Sequence, residues 1–296
     1  MKTLGVVGVG YWGKNLIRVF SKIADIKTCV HTGNTENEQW LRGNFPSIST
    51  TTSYETILED PEIDAVIIAT PIDTHYELTK QALSSGKHVF VEKPLARTAE
   101  QAKELTNLSE ENQIILFVGY IFCYHPTLRP IFEQVEDQSI KWARFSWDKL
   151  GEFERDIFLD LVVHPVAIAL ELFSTYPDRV DMINTYSVTD KTDIVLIRMV
   201  FPDNRMFDIE INRLSPNSQK SLQILLEDRL YFWTENSLHE FHNANFELVK
   251  ETNEEPLLAE AKQFIYDINQ DSNQQSSTDL GYKVNKVIHD IHKGES

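Results

Sequence analysis

Three sets of residues in this chain carry groups able to do chemistry. The first is Glu92-Lys93-Pro94, which closes the short apolar run Val89-Phe90-Val91. Proline lacks an N–H and disfavours the helical region for the residue before it, so Lys93 is expected in extended backbone at a strand end. A lysine held there, with Glu92 beside it, is a candidate proton donor or acceptor; the plainer alternative is a surface Glu–Lys pair ahead of a loop proline. The second set is Asp160 and His164, four apart in the apolar run Ile157–Phe173. That spacing places both side chains on one helix face. A buried acid needs a partner, so Asp160 either pairs with His164 or lines a polar cavity, and a purely structural pair is the plainer alternative. Pro165 follows at once, so the helix either kinks there or begins there with the proline as its first residue. The third set is Gly8-Val9-Gly10-Tyr11-Trp12-Gly13, between an apolar strand and a helical run. In that context Gly8 permits a tight turn, Gly10 lets backbone approach a pyrophosphate, and Gly13 allows close helix–strand packing. The free N–H groups of the following helix would face the phosphate charge.

The elements that must position these groups alternate over the first 120 residues. Strands are expected at Leu4–Gly8, Ile26–His31, Ala65–Ala69, the run ending at Glu92, and Ile114–Val118. Helices are expected at Lys14–Ser21, Thr35–Arg42, Tyr54–Glu59, Thr74–Ser85 and Ala99–Asn112, with Ser47–Ser53 a polar connection. Apolar strands alternating with helices over short connections argue for a parallel sheet covered on both faces. In such sheets ligands bind beyond the carboxyl ends of the strands. Gly8, Thr70, Lys93 and Tyr120 all fall at those ends and should project into one crevice. Thr70-Pro71 leads to His75, whose plainer role is to lie near a helix cap made by Asp73 or Thr74. The ribose anchor of such folds is usually an acid at the end of the second strand. Here that end reads Cys29-Val30-His31-Thr32-Gly33-Asn34, without a carboxylate. His31, Thr32 or Asn34 could bond a ribose hydroxyl, and none suits a 2′-phosphate, so NAD is expected, with NADP the alternative.

From about Cys123 the pattern changes. His125–Val135 and Ile157–Phe173 read as helices. Trp142–Leu150, Val180–Val188, Asp193–Phe201, Arg205–Arg213, Lys220–Leu226 and Leu230–Thr234 read as strands of a largely antiparallel sheet with one solvated face. Helices at Leu257–Ile268 and Leu280–His292 close the chain around a polar loop, Asn269–Thr278. The expected fold is therefore α/β: a doubly wound parallel Rossmann domain over 1–121 and an α/β domain with an open, largely antiparallel sheet over 122–296. The closing helices are expected to pack back on the first domain.

A formal net charge of −17 over 296 residues speaks against nucleic acid or an anionic membrane as partner. No stretch reaches the roughly 18 apolar residues of a membrane span, and Met1-Lys2-Thr3-Leu4 leads straight into a strand, so a cytoplasmic protein is expected. Cys29 and Cys123 sit in apolar runs and read as buried, inert thiols. The pairs His239/His242 and His289/His292 have no third ligand in view, and no metal site is expected.

Taken in order, the glycine motif, Thr70-Pro71 with His75, Glu92-Lys93-Pro94 and Asp160/His164 resemble the Gfo/Idh/MocA family of glucose–fructose oxidoreductases and inositol dehydrogenases. Glu255-Pro256-Leu257-Leu258, with Glu260 and Phe264, is similar to the family's returning helix. Gly10-Tyr11-Trp12-Gly13-Lys14-Asn15 and Leu150-Gly151 look most like members acting on nucleotide sugars. The resemblance implies a Rossmann domain followed by an α/β domain whose sheet forms the substrate floor. It also implies a nicotinamide cofactor, a sugar-like small-molecule substrate, and a homo-oligomer, dimer or tetramer, through the second sheet. By resemblance, Lys93 bonds the reacting hydroxyl or carbonyl, His164 is the acid/base and Asp160 orients it. The cofactor is expected to lie against Gly8, Gly10, Tyr11, Trp12, Gly13, His31, Thr32, Thr70, Pro71, His75, Glu92, Lys93 and Tyr120. This chain departs from the family in lacking the acid after the second strand. Pro165 replaces a commonly acidic position, and Cys123 stands where many sugar-oxidising relatives have arginine. Two further readings stay open: a non-catalytic dinucleotide-binding regulator or scaffold, and an imine or linear-tetrapyrrole reductase.

Overall fold

The glycine motif requires a helix pressed onto a strand, and the computed structural model, which describes residues 1–135, 139–270 and 276–294, supplies that arrangement. The first strand, β1 (Thr3–Val7), passes into α1 (Tyr11–Phe20) through Gly8, whose φ of +100° only glycine adopts readily. A Cβ at Gly13 would collide with the Gly8 carbonyl oxygen, and one at Gly8 with that of Ala69. Further along come β2 (Asp25–Val30), α2 (Thr35–Asn44), β3 (Ser49–Thr51), α3 (Glu55–Leu58) and β4 (Ala65–Ile68). Then follow α4 (Ile72–Ser84), β5 (His88–Glu92), α5 (Ala99–Glu111) and β6 (Leu116–Gly119). All six strands run parallel in the order β3-β2-β1-β4-β5-β6, a doubly wound sheet as expected. The sequence reading had five strands here. Ser49–Thr51 is a sixth, and without an apolar run this short edge strand gives no signal of its own.

Local chemistry sets the helix ends. The Asn34 side chain accepts from the Glu36 and Asn37 amides at 2.9 and 3.1 Å to cap α2, and Thr98 accepts from Gln101 at 3.2 Å to cap α5. Gly86, at φ +76°, follows the end of α4.

The chain divides into two compact units, and this parallel sheet belongs to the first, Met1–Ile121 with Glu255–Asn285. The later segment brings α8 (Pro256–Asn269) and most of α9 (Ser276–Gly294). Phe264 of α8 meets Phe20, Phe90 and Phe117 edge-on, at ring-centroid distances of 6.1, 5.7 and 5.6 Å. The Asn285 side chain of α9 donates to the Ala96 carbonyl at 2.6 Å. Residues 271–275 of the expected polar loop lie outside the described residues, and Ser276–Thr278, read as loop, opens α9 instead.

The second unit holds Phe122–Glu254 and the end of α9. Where one helix was expected over His125–Val135, α6 covers only Arg129–Gln134, behind a 3₁₀ turn at Ile121–Tyr124. Its sheet has eight strands: β7 (Trp142–Leu150), β8 (Arg179–Tyr186), β9 (Ile194–Phe201), β10 (Arg205–Asn212), β11 (Leu214–Leu225), β12 (Arg229–Thr234), β13 (Ser237–His242) and β14 (Asn245–Glu251). They lie in the order β14-β13-β12-β11-β7-β10-β9-β8, antiparallel except for β7 with β10. Val195, Ile197 and Met199, Phe207, Ile209 and Ile211, and Ala143, Phe145 and Trp147 alternate onto a buried face with α7 (Val163–Phe173) in the same unit. The opposite face carries the pairs Arg144–Glu210 and Arg198–Asp208. The last hairpin, β13–β14, was not foreseen. All seven residues of β14 are exposed, so burial imposed no apolar pattern; the turn is made instead by Asn243 and Ala244 at φ +50° and +62°. Both cysteines are buried, and burial pushes the Cys29 thiol up to about 12. Among the described residues no helix is long and apolar enough to cross a membrane.

The Phe264 ring joins α8 to the strands beneath it. Phe264→Ala should lower stability by about 3–5 kcal/mol, read as a shift of the urea midpoint at unchanged slope.

Candidate functional site

Four adjacent strands of the first unit, β1, β4, β5 and β6, end in Gly8, Thr70, Lys93 and Tyr120. Because the strands are parallel, all four ends lie at one edge of the sheet. The head of α1 stands at the same edge. Gly10 is its N-cap residue and carries no capping side chain, and no acid occupies the first turn, so among the described residues the first amide N–H groups of α1 have no side-chain partner. A Cβ added at Gly10 would meet nothing within 4 Å, which leaves the backbone open to a bound group. These features fit the pyrophosphate of a dinucleotide. Tyr11 and Trp12 are exposed beside it, and the Trp12 indole N–H donates to Oε1 of Glu92.

The residues around Lys93 are fixed from both sides. Lys93 is half-buried and its peptide to Pro94 is cis. His75, 1% exposed, sits with Nδ1 2.8 Å from the Pro94 carbonyl oxygen and Nε2 2.8 Å from that of Thr70. One imidazole thus stands between the end of β5 and the end of β4, and in its neutral form it donates to one of the two carbonyls, a placement that sequence spacing did not reveal. Burial holds His75 below its ordinary pKa against the pull of both carbonyls. Pro71 precedes α4 as its N-cap residue, and Thr74 Oγ1 donates to Thr70 Oγ1 at 2.7 Å. Glu92 is buried, which pushes its carboxyl up to about 7 against the Trp12 bond and the nearby Lys93 charge. Tyr120 is wholly buried. After β2, the buried His31 accepts from the Gly33 amide at 3.1 Å, Thr32 is exposed, and Asn34 is engaged as the cap of α2. Arg42 lies in the last turn of α2, bonded to Glu38 at 2.6 Å.

In the second unit, Asp160 lies within an irregular turn and His164 just beyond it. Phe158–Val162 is π-helical, and α7 begins at Val163, so Pro165 lies in its first turn. The expected alternatives were a kink at the proline or a helix starting on it. The chain instead widens one turn earlier, relieving the clash a proline makes with the carbonyl four residues back. Asp156 Oδ1 accepts from the Phe158 and Leu159 amides at 2.8 and 3.2 Å and so starts this turn. Asp160 is half-buried and accepts from Arg155 at 3.3 Å. His164 is buried, with its ring edge-on to Phe122 at 5.1 Å and tilted against Trp147 at 5.7 Å. Lys220 lies over Trp147 at 4.8 Å and Phe122 at 5.6 Å and pairs with Glu235.

Sequence reasoning missed Phe122, Trp147, Lys220 and Arg155. Lys220 and Trp147 face each other in the β7–β11 register, a relation visible only once the strands are paired. It also missed Arg213, 1% exposed, whose Nε donates to Asp193 at 3.0 Å and whose Nη1 donates to the Arg155 carbonyl at 2.8 Å. The one available hint was its position as a cation closing the alternating run Met206–Ile211.

Residues 2–120 match the oxidoreductase family with the NAD-binding Rossmann fold, GFO_IDH_MocA. UDP-N-acetylglucosamine 3-dehydrogenase of Acidithiobacillus ferrooxidans is 26% identical over 256 residues, covering 80% of this chain and 76% of its own length. NAD⁺-dependent scyllo-inositol 2-dehydrogenase of Bacillus subtilis is 30% identical over 179 residues, 55% of this chain and 52% of its own. A solved structure of the Acidithiobacillus enzyme matches 98% of this chain and 96% of its own, with a TM-score of 0.90 at 23% identity. Levoglucosan dehydrogenase in complex with NADH matches 99% and 96%, with a TM-score of 0.88 at 18% identity. At those identities the structural likeness speaks for the fold alone. The glycine motif and the strand edge described above both lie in the segment, residues 2–120, that matches the Gfo/Idh/MocA oxidoreductase family with its NAD-binding Rossmann fold.

Proposed function

We propose that this protein is an NAD-dependent dehydrogenase that moves a hydride between nicotinamide and a secondary hydroxyl or carbonyl of a sugar, cyclitol or nucleotide sugar. The observation that carries this reading is the meeting of Gly8, Thr70 and Lys93 at one edge of adjacent parallel strands, beside an uncapped helix head. Bound nicotinamide would supply the hydride acceptor or donor. Lys93 is assigned to the reacting oxygen, where an ammonium stabilises developing alkoxide charge. His164 is assigned the proton that leaves as hydride leaves, since an imidazole can both take up and return a proton, and Asp160 is assigned to orient it. The aromatic walls of Phe122 and Trp147 support a site that takes the apolar face of a sugar ring. The family likeness to a UDP-N-acetylglucosamine 3-dehydrogenase supports the nucleotide-sugar branch. For the adenosine ribose, His31 and Thr32 are the groups assigned. With no cation in the His31–Asn34 segment and Arg42 engaged by Glu38, NADH should bind better than NADPH. The charged face of the second sheet, with Arg144–Glu210 and Arg198–Asp208, is the surface assigned to self-association, and light scattering gives the oligomer mass that tests it.

Three measurements test the reading. Lys93→Ala should keep NADH affinity within about threefold while lowering kcat by at least ~100-fold on whichever nucleotide sugar or cyclitol the parent oxidises. Parent protein that binds NADH yet turns over nothing in a broad sugar panel would favour the regulator reading instead. Gly10→Ala should change folding stability by less than about 0.5 kcal/mol, because its Cβ meets nothing, while weakening NADH binding about tenfold or more. Calorimetric titration with both dinucleotides should rank NADH above NADPH, and the reverse order would contradict the assignment of the β2 end.

A further inference from the structure

One buried group finds no use in the chemistry above. Glu260 lies on α8, one turn before Phe264, and is 1% exposed. Neither of its carboxyl oxygens meets a donor among the described residues. Phe264 packs on Phe90 of β5, and Glu92 stands two residues further along the same face of that strand. Glu260, four residues before Phe264 on the same side of α8, therefore lies toward the strand end that carries Glu92. The two are close enough that the charge of Glu92 pushes Glu260 higher than burial alone does. Other charges at this place are accounted for. Lys93 acts on Glu92, and Arg18 of α1 is engaged with Glu255 at the head of α8, one Nη donating at 2.9 Å. On β6, a Cβ at Gly119 would lie 3.1 Å from the Phe90 ring and 3.4 Å, an ordinary contact distance, from Glu92 Oε1.

A carboxyl buried without a donor keeps its proton rather than ionise. Protonated, it becomes a donor, and Glu92, whose charge acts on it, is an acceptor on the same side. We propose that Glu260 is a positioning residue for the dinucleotide loop: as a neutral acid it donates its O–H to Glu92, and Glu92 in turn holds the Trp12 indole at the head of α1. The relay runs from the returning helix through β5 to the glycine motif, within one unit of the fold. The proposal deepens the cofactor reading above and rests on it for the role of the loop.

The test uses the full chain. Infrared spectra at pH 8 should show a protonated-carboxyl C=O stretch, above the amide I band, that disappears in Glu260→Gln. The pH dependence of stability has a definite sign. A carboxyl whose folded pKa lies above its unfolded one takes up protons on folding, so the parent loses stability as pH rises above about 4.5. Glu260→Gln lacks that loss, and its thermal midpoint should overtake the parent's progressively from pH 5 to pH 8. NADH titration should show Glu260→Leu, which removes the donor, weakened about tenfold, and Glu260→Gln, which restores an N–H donor, back near the parent. An unchanged carboxyl band in Glu260→Gln would overturn the proposal, as would Glu260→Leu binding NADH like the parent. A parent that binds no NADH would instead overturn the cofactor reading, and the proposed role with it.

Discussion

The head of α1 lies so close to the strand before it that a single methyl group cannot pass between Gly13 and the Gly8 carbonyl. Much of the first unit follows from that contact. It fixes the angle at which the helix leaves the sheet, and so the direction in which its first amides point. It also brings Trp12 over the end of β5, where the indole N–H finds Glu92. The neighbouring connection, from β4 to α4, is drawn into the same corner, since Gly8 abuts the Ala69 carbonyl and the His75 ring lies between the Thr70 and Pro94 carbonyls. The apolar strands supply the platform, but these close polar contacts decide where each strand end stops.

The second unit reaches a comparable definition by other means. Its candidate histidine rests against aromatic rings drawn from a 3₁₀ turn and from β7, and the acid four residues before it lies in a turn widened by one residue. The widening is the local answer to Pro165, whose ring and missing N–H disallow a regular helix across that point. A π turn is also a common way of presenting functional side chains, because it displaces them from the positions a straight helix would give.

Most of the first sheet was legible because parallel strands covered on both faces must be apolar throughout. Val66-Ile67-Ile68 and Val89-Phe90-Val91 permit little else. The glycine motif was legible for a related reason, since its residues answer to steric needs that composition cannot disguise. The edge strand Ser49–Thr51 and the exposed hairpin β13–β14 were not, because a strand that buries little side-chain surface imposes no pattern on its sequence. The residues around His164 escaped because they come from elements far apart in the chain. Trp147 and Lys220 meet through strand register, and Glu260 is buried in the first unit only because α8 returns to it. Periodicity reports which face is buried and says nothing about which buried polar groups will meet.

Asp193 and Arg213 give the second unit an unusual mechanical character. Asp193 is fully buried and accepts from the Val188 and Thr189 amides, the Thr189 hydroxyl and the Arg213 guanidinium, while Arg213 also holds the carbonyls of Glu152 and Arg155. Against the upward push of burial, those donors keep the Asp193 carboxyl down at about 2. A depressed carboxyl stabilises fully above its ordinary value of 3.8 and gives way only as the pH falls through about 2. The corner that carries the Arg155 carbonyl is therefore brittle rather than compliant: mild acid leaves it untouched, and when it fails, three segments of the chain come loose together.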